Sequence, residues 1–176
     1  MRNDNARWTP AKGLDRPEFQ RDGCTLRVIR PKRQILLSGP MNALLNAAGL
    51  SQAVGWPEQA SGDTYAIRLR RDRVLVINGH EMTDGWDSDR GIAISDVTDG
   101  YAIIGLEGTR TLQVLKRGTE IDPSEPSASV VRGFAGYPIM VYAYGSDHSY
   151  RIHVPRVYLE GLWERLEEFA YAAAAL

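Results

Sequence analysis

A chain of 176 residues with 43% hydrophobic and 24% charged residues has the makeup of one folded domain. Its formal net charge of −1 argues against the clustered basic surface that phosphate binding needs, so no nucleic-acid partner is expected. Cys24 is the single cysteine, which excludes an internal disulfide and any multi-cysteine metal site and suits a reducing compartment.

Residues 1–22 are polar, with scattered apolar positions, and read as an extended arm that is either disordered or ordered by lying on another surface. They lack the apolar centre of a signal peptide. No run in the chain approaches the roughly 20 apolar residues of a membrane span. The expectation is a cytoplasmic protein with no membrane partner. Trp8 and Phe19 stand out in the arm, because a large aromatic contributes much buried area from few residues. Each is either an anchor into a partner or a contact with its own domain.

Regular patterning begins at Cys24, and residues 23–176 read as the domain proper. Residues 25–29 and 34–37 are β-rich runs joined by Arg30-Pro31-Lys32-Arg33, which reads as a hairpin. Ser38-Gly39-Pro40 then opens a helix, with Ser38 or Gly39 as its cap and Pro40 where a missing N–H costs nothing. Met41, Leu44, Leu45 and Ala48 follow at helical spacing, and Gly49 ends the run. Residues 65–69 and 74–77 form a second hairpin across Arg70, Arg71, Asp72 and Arg73. Arg68, Arg70, Arg71 and Arg73 read as a solvated strand face. Residues 78–90 read as a polar loop or a short helix.

The same order then returns. Residues 92–97 and 101–106 are strands around the tight-turn sequence Thr98-Asp99-Gly100. Gly108 leads a helix carrying Leu112 and Leu115 that closes at Gly118. Strands follow at 129–134, 138–144 and 150–154. Pro155 opens a last helix with Leu159, Leu162, Trp163, Leu166, Phe169 and Ala170 on one face. Ile35-Leu36-Leu37-Ser38-Gly39-Pro40, then Leu45 and Gly49, aligns with Ile104-Gly105-Leu106-Glu107-Gly108-Thr109, then Val114 and Gly118. This duplicated strand–turn–helix unit predicts an α+β fold of antiparallel sheets with helices on one face, built from ferredoxin-like units.

No constellation for catalysis emerges. His80, His148 and His153 lack the spacing of a zinc site and read as surface or strand histidines. Asp84, Asp87 and Asp89 lack the ligand order of a calcium loop and read as a solvated acidic stretch. The chain has no phosphate-binding glycine loop and no nucleophile elbow. Asp96 sits in an otherwise apolar strand, where an unpaired charge is costly. It either faces a polar groove or pairs with the backbone of the following turn, and the second reading is favoured.

The run Ile94-Ser95-Asp96-Val97-Thr98-Asp99-Gly100-Tyr101 through Gly108 resembles a recurring segment of the aminomethyltransferase superfamily. Leu115-Lys116-Arg117-Gly118, then Val131-Arg132-Gly133-Phe134-Ala135-Gly136-Tyr137-Pro138, and last Tyr150-Arg151-Ile152-His153-Val154-Pro155-Arg156 resemble the gamma subunit of heterotetrameric sarcosine oxidase. Gly55-Trp56-Pro57 falls in the same order upstream. The chain departs from that family at Arg70-Arg71-Asp72-Arg73-Val74, where a Gly-Pro-Asp-Glu-Trp-type turn is usual.

The resemblance implies the fold of the folate-binding domain and a non-catalytic accessory subunit with no catalytic, cofactor-binding or metal residues of its own. Asp96 would be a structural remnant of the superfamily, with neither catalysis nor folate binding carried onto it. Alpha, beta and delta subunits would be the partners and would carry FAD, FMN, NAD, tetrahydrofolate and zinc. Trp8, Phe19, Trp56, Trp86, Tyr142 and Tyr144 are the candidate interface residues. The competing reading is a stand-alone folate-dependent methyl or aminomethyl transferase, or a folate-binding module.

Overall fold

Val74, Leu75, Val76 and Ile77 are four consecutive apolar residues of one strand, and all four are buried. Since successive strand side chains point to opposite faces, such a strand must be covered on both sides. The structure, a computed structural model, shows how. It describes residues 16–21, 23–119, 121–122 and 125–174.

The elements in chain order are β1 (Phe19–Arg21), β2 (Cys24–Ile29), β3 (Gln34–Ser38), α1 (Met41–Ala48), β4 (Gln59–Ala60), β5 (Tyr65–Arg70), β6 (Arg73–Ile77) and β7 (Gly85–Asp87). There follow β8 (Ile92–Asp96), β9 (Tyr101–Glu107), α2 (Thr111–Gly118), β10 (Val131–Phe134), β11 (Tyr137–Tyr144), β12 (Ser146–Pro155), a single 3-10 turn at Arg156–Tyr158, and α3 (Leu159–Ala174). One sheet runs β1-β2-β9-β12-β11-β10, with β4 added to β11; the other runs β5-β6-β3-β8-β7. Among the described residues every pairing is antiparallel except the short β4–β11 contact and a single bridge from Val54 to Ile67.

The two sheets lie face to face, and the helices cover their outer faces. Val74 and Val76 join Ile35, Leu37, Ile92 and Ile94 beneath Leu44, Ala47 and Ala48 of α1. Leu75 and Ile77 turn the other way, into the layer shared with Ile67, Met140 and Tyr142. On the far side, Leu26, Ile104, Val141 and Ile152 pack under Val114 and Leu115 of α2 and Leu159, Leu162, Trp163 and Leu166 of α3. Burying each leucine of this kind contributes about 1.5–3 kcal/mol, so the periodic face of α3 is its reason for being helical where it is.

The duplicated unit is visible in the fold. β3 and β9 each end at a glycine of positive φ, Gly39 at 150° and Gly108 at 124°, which leads into an eight-residue helix. A Cβ on Gly39 would come 2.8 Å from the carbonyl oxygen of Gly91, and one on Gly108 would overlap the carbonyl of Gly23. Both turns therefore need the missing side chain twice over, for conformation and for room.

Several expectations are corrected. Residues 25–29 and 34–37 are not a hairpin: β2 and β3 belong to different sheets, and residues 30–33 carry the chain across. The same holds for β8 and β9, where residues 97–100 carry it back. The two crossings are tied together, Val97 N–H donating to Gln34 O (2.9 Å) and Gln34 N–H to Thr98 Oγ1 (2.9 Å). Pro40 is the N-cap of α1 rather than its first helical residue, and neither Ser38 nor Gly39 caps it. Residues 78–90 hold the edge strand β7, and Phe19–Arg21, assigned to the arm, is an edge strand paired with β2. Among the described residues no helix is long and apolar enough to cross a membrane.

Candidate functional site

Two of the three buried polar residues among those described, Gln34 and His153, sit between the two sheets, in a chain of hydrogen bonds that crosses from one to the other. Gln34 is on β3 and Tyr65 on β5, in the second sheet; Tyr142 is on β11 and His153 on β12, in the first. Gln34 Nε2 donates to the carbonyls of Thr98 (3.2 Å) and Tyr101 (2.9 Å). That fixes its amide, so Oε1 is an acceptor facing His153 Nδ1 at 2.9 Å. Nδ1 must then carry the proton, and Nε2 must accept from the Tyr142 hydroxyl at 2.8 Å. Tyr142 in turn accepts from Tyr65 (2.8 Å), which accepts from Arg151 Nη1 (2.8 Å).

The chain has one direction throughout, from a guanidinium to two backbone carbonyls. His153 and Gln34 are fully buried. Burial, with the Arg151 charge adding to it, pushes the His153 pKa down to about 3, so the ring is neutral as its tautomer requires. Burial likewise raises the Tyr142 hydroxyl well above the usual tyrosine range and raises Tyr65 more modestly. Such a network can fix one packing of sheet on sheet. With the His153 ring held neutral and both tyrosine hydroxyls raised, the arrangement suits a structural role.

Asp96 lies elsewhere, exposed at the end of β8. Its Oδ1 accepts from Thr98 N–H (2.9 Å) and from the Thr98 hydroxyl (2.6 Å), and those bonds hold its carboxyl below the usual range. It organises the turn that returns the chain to the first sheet, the second of the two readings its position allowed. Asp84 accepts from Asp96 N–H (2.7 Å), while Asp87 accepts from the backbone of Asp89 and Arg90 and pairs with the Arg90 guanidinium at 2.7 Å. Among the described residues no group of three or more His, Cys, Asp or Glu is placed to hold a metal. Cys24 is buried, and desolvation raises its thiol pKa to about 11, which makes it unreactive.

The candidate interface residues separate. Trp56 (2% exposed) and Tyr142 (0%) are interior, because Trp56 packs on Tyr150 in the first-sheet core and Tyr142 points between the sheets. Tyr144 is half-buried under the Arg151 guanidinium, 3.4 Å from its ring centre. Phe19 packs against its own core and meets Tyr171 edge-on. Trp86 is 68% exposed on the edge strand β7. Trp8 lies outside the described residues.

Sequence reading treated His153 as an ordinary strand position and passed over Gln34, Tyr65 and Arg151. The signal available was Gln34 and His153 standing in otherwise apolar strands, where a polar side chain needs a buried partner. His80 lines a cleft of about 370 Å3 beside Trp86. His148 lines another, of about 550 Å3, with Lys116 and Asp147.

No family model matches the sequence, and no curated protein matches it. Among solved structures, the chain is similar to one in heterotetrameric sarcosine oxidase from Corynebacterium sp. U-96, determined in complex with pyrrole 2-carboxylate. The TM-score is 0.68 at 20% identity, over 87% of this chain and 86% of that one. The fold is that of a sarcosine oxidase subunit. Glycine cleavage system aminomethyltransferase T from Bartonella henselae is also matched, at a TM-score of 0.48 and 16% identity, over 83% of this chain and 46% of the other. The mixed, mostly antiparallel architecture expected from the sequence is the one found.

Proposed function

We propose that this chain is a non-catalytic accessory subunit of a sarcosine oxidase-like flavoenzyme that oxidatively demethylates N-methyl amino acids. The observation that carries the proposal is the extent of the likeness, which covers 87% of this chain and 86% of the sarcosine oxidase chain. The interior supports it. The buried titratable side chains between the sheets are consumed by a chain of hydrogen bonds that ends on backbone carbonyls, and Asp96 is bound into its own turn.

On this reading the chemistry belongs to alpha, beta and delta partners, with FAD, FMN, NAD, tetrahydrofolate and zinc held by them. Among the described residues, the exposed large apolar side chains that a partner would cover are Trp86 on β7, Val131 on β10, Val157 and Tyr158 in the turn before α3, and Tyr171 on α3. Titration calorimetry of the purified chain with tetrahydrofolate separates this from a stand-alone folate-dependent transferase. The accessory subunit gives no saturable heat. Stoichiometric binding that is lost in an Asp96→Ala variant would transfer the assignment to the transferase.

A further inference from the structure

Arg68 belongs to the arginine-rich hairpin that reads from sequence as a solvated face, yet it is only half-exposed and its Nε is shielded from solvent without a hydrogen-bond partner. Among the described residues no carboxylate pairs with it. Its side chain lies on the same face of β5 as Ala66, which packs under α1, and it lines a cleft of about 410 Å3. An unpaired, partly dehydrated guanidinium is costly in an empty cleft and favourable in one that receives an oxyanion.

The walls are fixed by backbone. Val54 is bonded on both sides to β5, donating to Ala66 O and accepting from Arg68 N, each at 2.8 Å. Trp56 and Ser127 exchange two backbone bonds of 2.8 and 2.7 Å, and Val130 N–H donates to Arg68 O at 3.0 Å. Gly55 passes so close to Ser127 that a Cβ there would come 2.7 Å from its carbonyl oxygen. Ser51, Gln52 and Ser127 add polar side chains to the lining. Glu58 lines it too, with Oε2 held by Gly55 N–H at 2.7 Å. Arg68 is the cation of this lining and Glu58 its carboxylate, so the cleft has no surplus positive charge to hold a doubly charged phosphate.

We propose that this cleft is a binding site for a carboxylate, read by the planar fork of Arg68. The carboxylate comes either from a free small molecule or from an acidic side chain of a partner subunit, and the recognition chemistry is the same. The carboxylate site itself stands independently of the accessory-subunit reading; only the partner as its source rests on that reading.

The test is a titration of the 15N-labelled chain with sodium acetate, and separately with sodium chloride at equal ionic strength, followed by NMR. The shielded Arg68 Nε–H and the amides of Gly55 and Ser127 are the reporters. Acetate is expected to shift all of them saturably and chloride to leave them in place. Arg68→Gln should weaken acetate binding about ten-fold or more, and Arg68→Lys, which keeps the charge and loses the fork, by several-fold. Unchanged amides elsewhere show that each variant is folded. Equal, unsaturated shifts with both salts, or full-strength binding in a folded Arg68→Gln chain, would overturn the proposal. In an assembled complex, acetate that still saturates marks a freely exchanging ligand. Acetate excluded until the partner is removed marks a partner's carboxylate seated on Arg68.

Discussion

The Tyr142 hydroxyl donates to His153 Nε2 across 2.8 Å between adjacent strands, and Gln34 on the opposite sheet fixes the direction of that bond. Tyr142 also accepts from Tyr65, so a single oxygen links three strands and both sheets. Tyr142→Phe leaves the His153 Nε2 lone pair and the Tyr65 hydroxyl without their partners at little change in volume. Urea unfolding should show a loss of about 2–3 kcal/mol. A loss below about 0.5 kcal/mol, the range of an ordinary surface change, would mean the chain of bonds is not structural.

His153 gives this network a pH signature. Its pKa is lowered from 6.5 to about 3 in the folded state, chiefly by burial. Below pH 6.5 the unfolded chain binds a proton that the folded chain refuses. This contribution to stability is therefore complete above the unfolded pKa and declines as the pH falls toward 3. The slope is up to about 1.4 kcal/mol per pH unit. Unfolding free energies measured through this window should fall more steeply for the wild type than for His153→Gln. Parallel slopes would show that the ring is protonated in the fold.

Much of this was legible in the residues, and the limits have physical causes. The alternation that ends at Gly39 and at Gly108 marked both strand–helix units, because only glycine suits those turns. The face of α3 from Leu159 to Ala170 was legible from its period. Period says which way a side chain points but not which sheet its strand joins. So Arg30-Pro31-Lys32-Arg33 and Thr98-Asp99-Gly100 read as hairpin turns, whereas both carry the chain between layers. Tyr142 reads from sequence as an interface residue because aromatic rows suit both an exposed patch and a layer between sheets, and it is fully buried in the layer. Gln34 and His153 meet only after residues 119 apart fold together, and no local pattern announces that.

One glycine of the duplicated turn and one glycine outside it provide a paired test. Gly108→Ala places a methyl group onto the Gly23 carbonyl at a φ of 124°, whereas Gly133→Ala on β10 meets nothing within 4 Å. The first should cost more than about 3 kcal/mol or prevent folding, and the second should change stability by less than about 0.5 kcal/mol. Thermal unfolding of the two variants compares them directly. Similar melting temperatures would show that the turn at Gly108 relaxes freely.

Asp96→Ala removes the two bonds to Thr98 from an exposed position. The expected cost is modest, about 0.5–1 kcal/mol, read as a small fall in the unfolding midpoint. Turnover of a complex assembled with this variant should equal that of the wild type. A large loss of turnover with intact assembly would make Asp96 part of a catalytic site rather than a turn.

The most direct measurement co-expresses this chain, tagged, with candidate flavoprotein subunits of a sarcosine oxidase-like complex, and follows the purified material by size-exclusion chromatography with light scattering and flavin absorbance. An accessory subunit elutes in one peak with its partners, in fixed stoichiometry, and with flavin in that peak. A tagged chain that elutes alone, flavin-free and at its own 19.6 kDa, beside well-expressed partners, would contradict it.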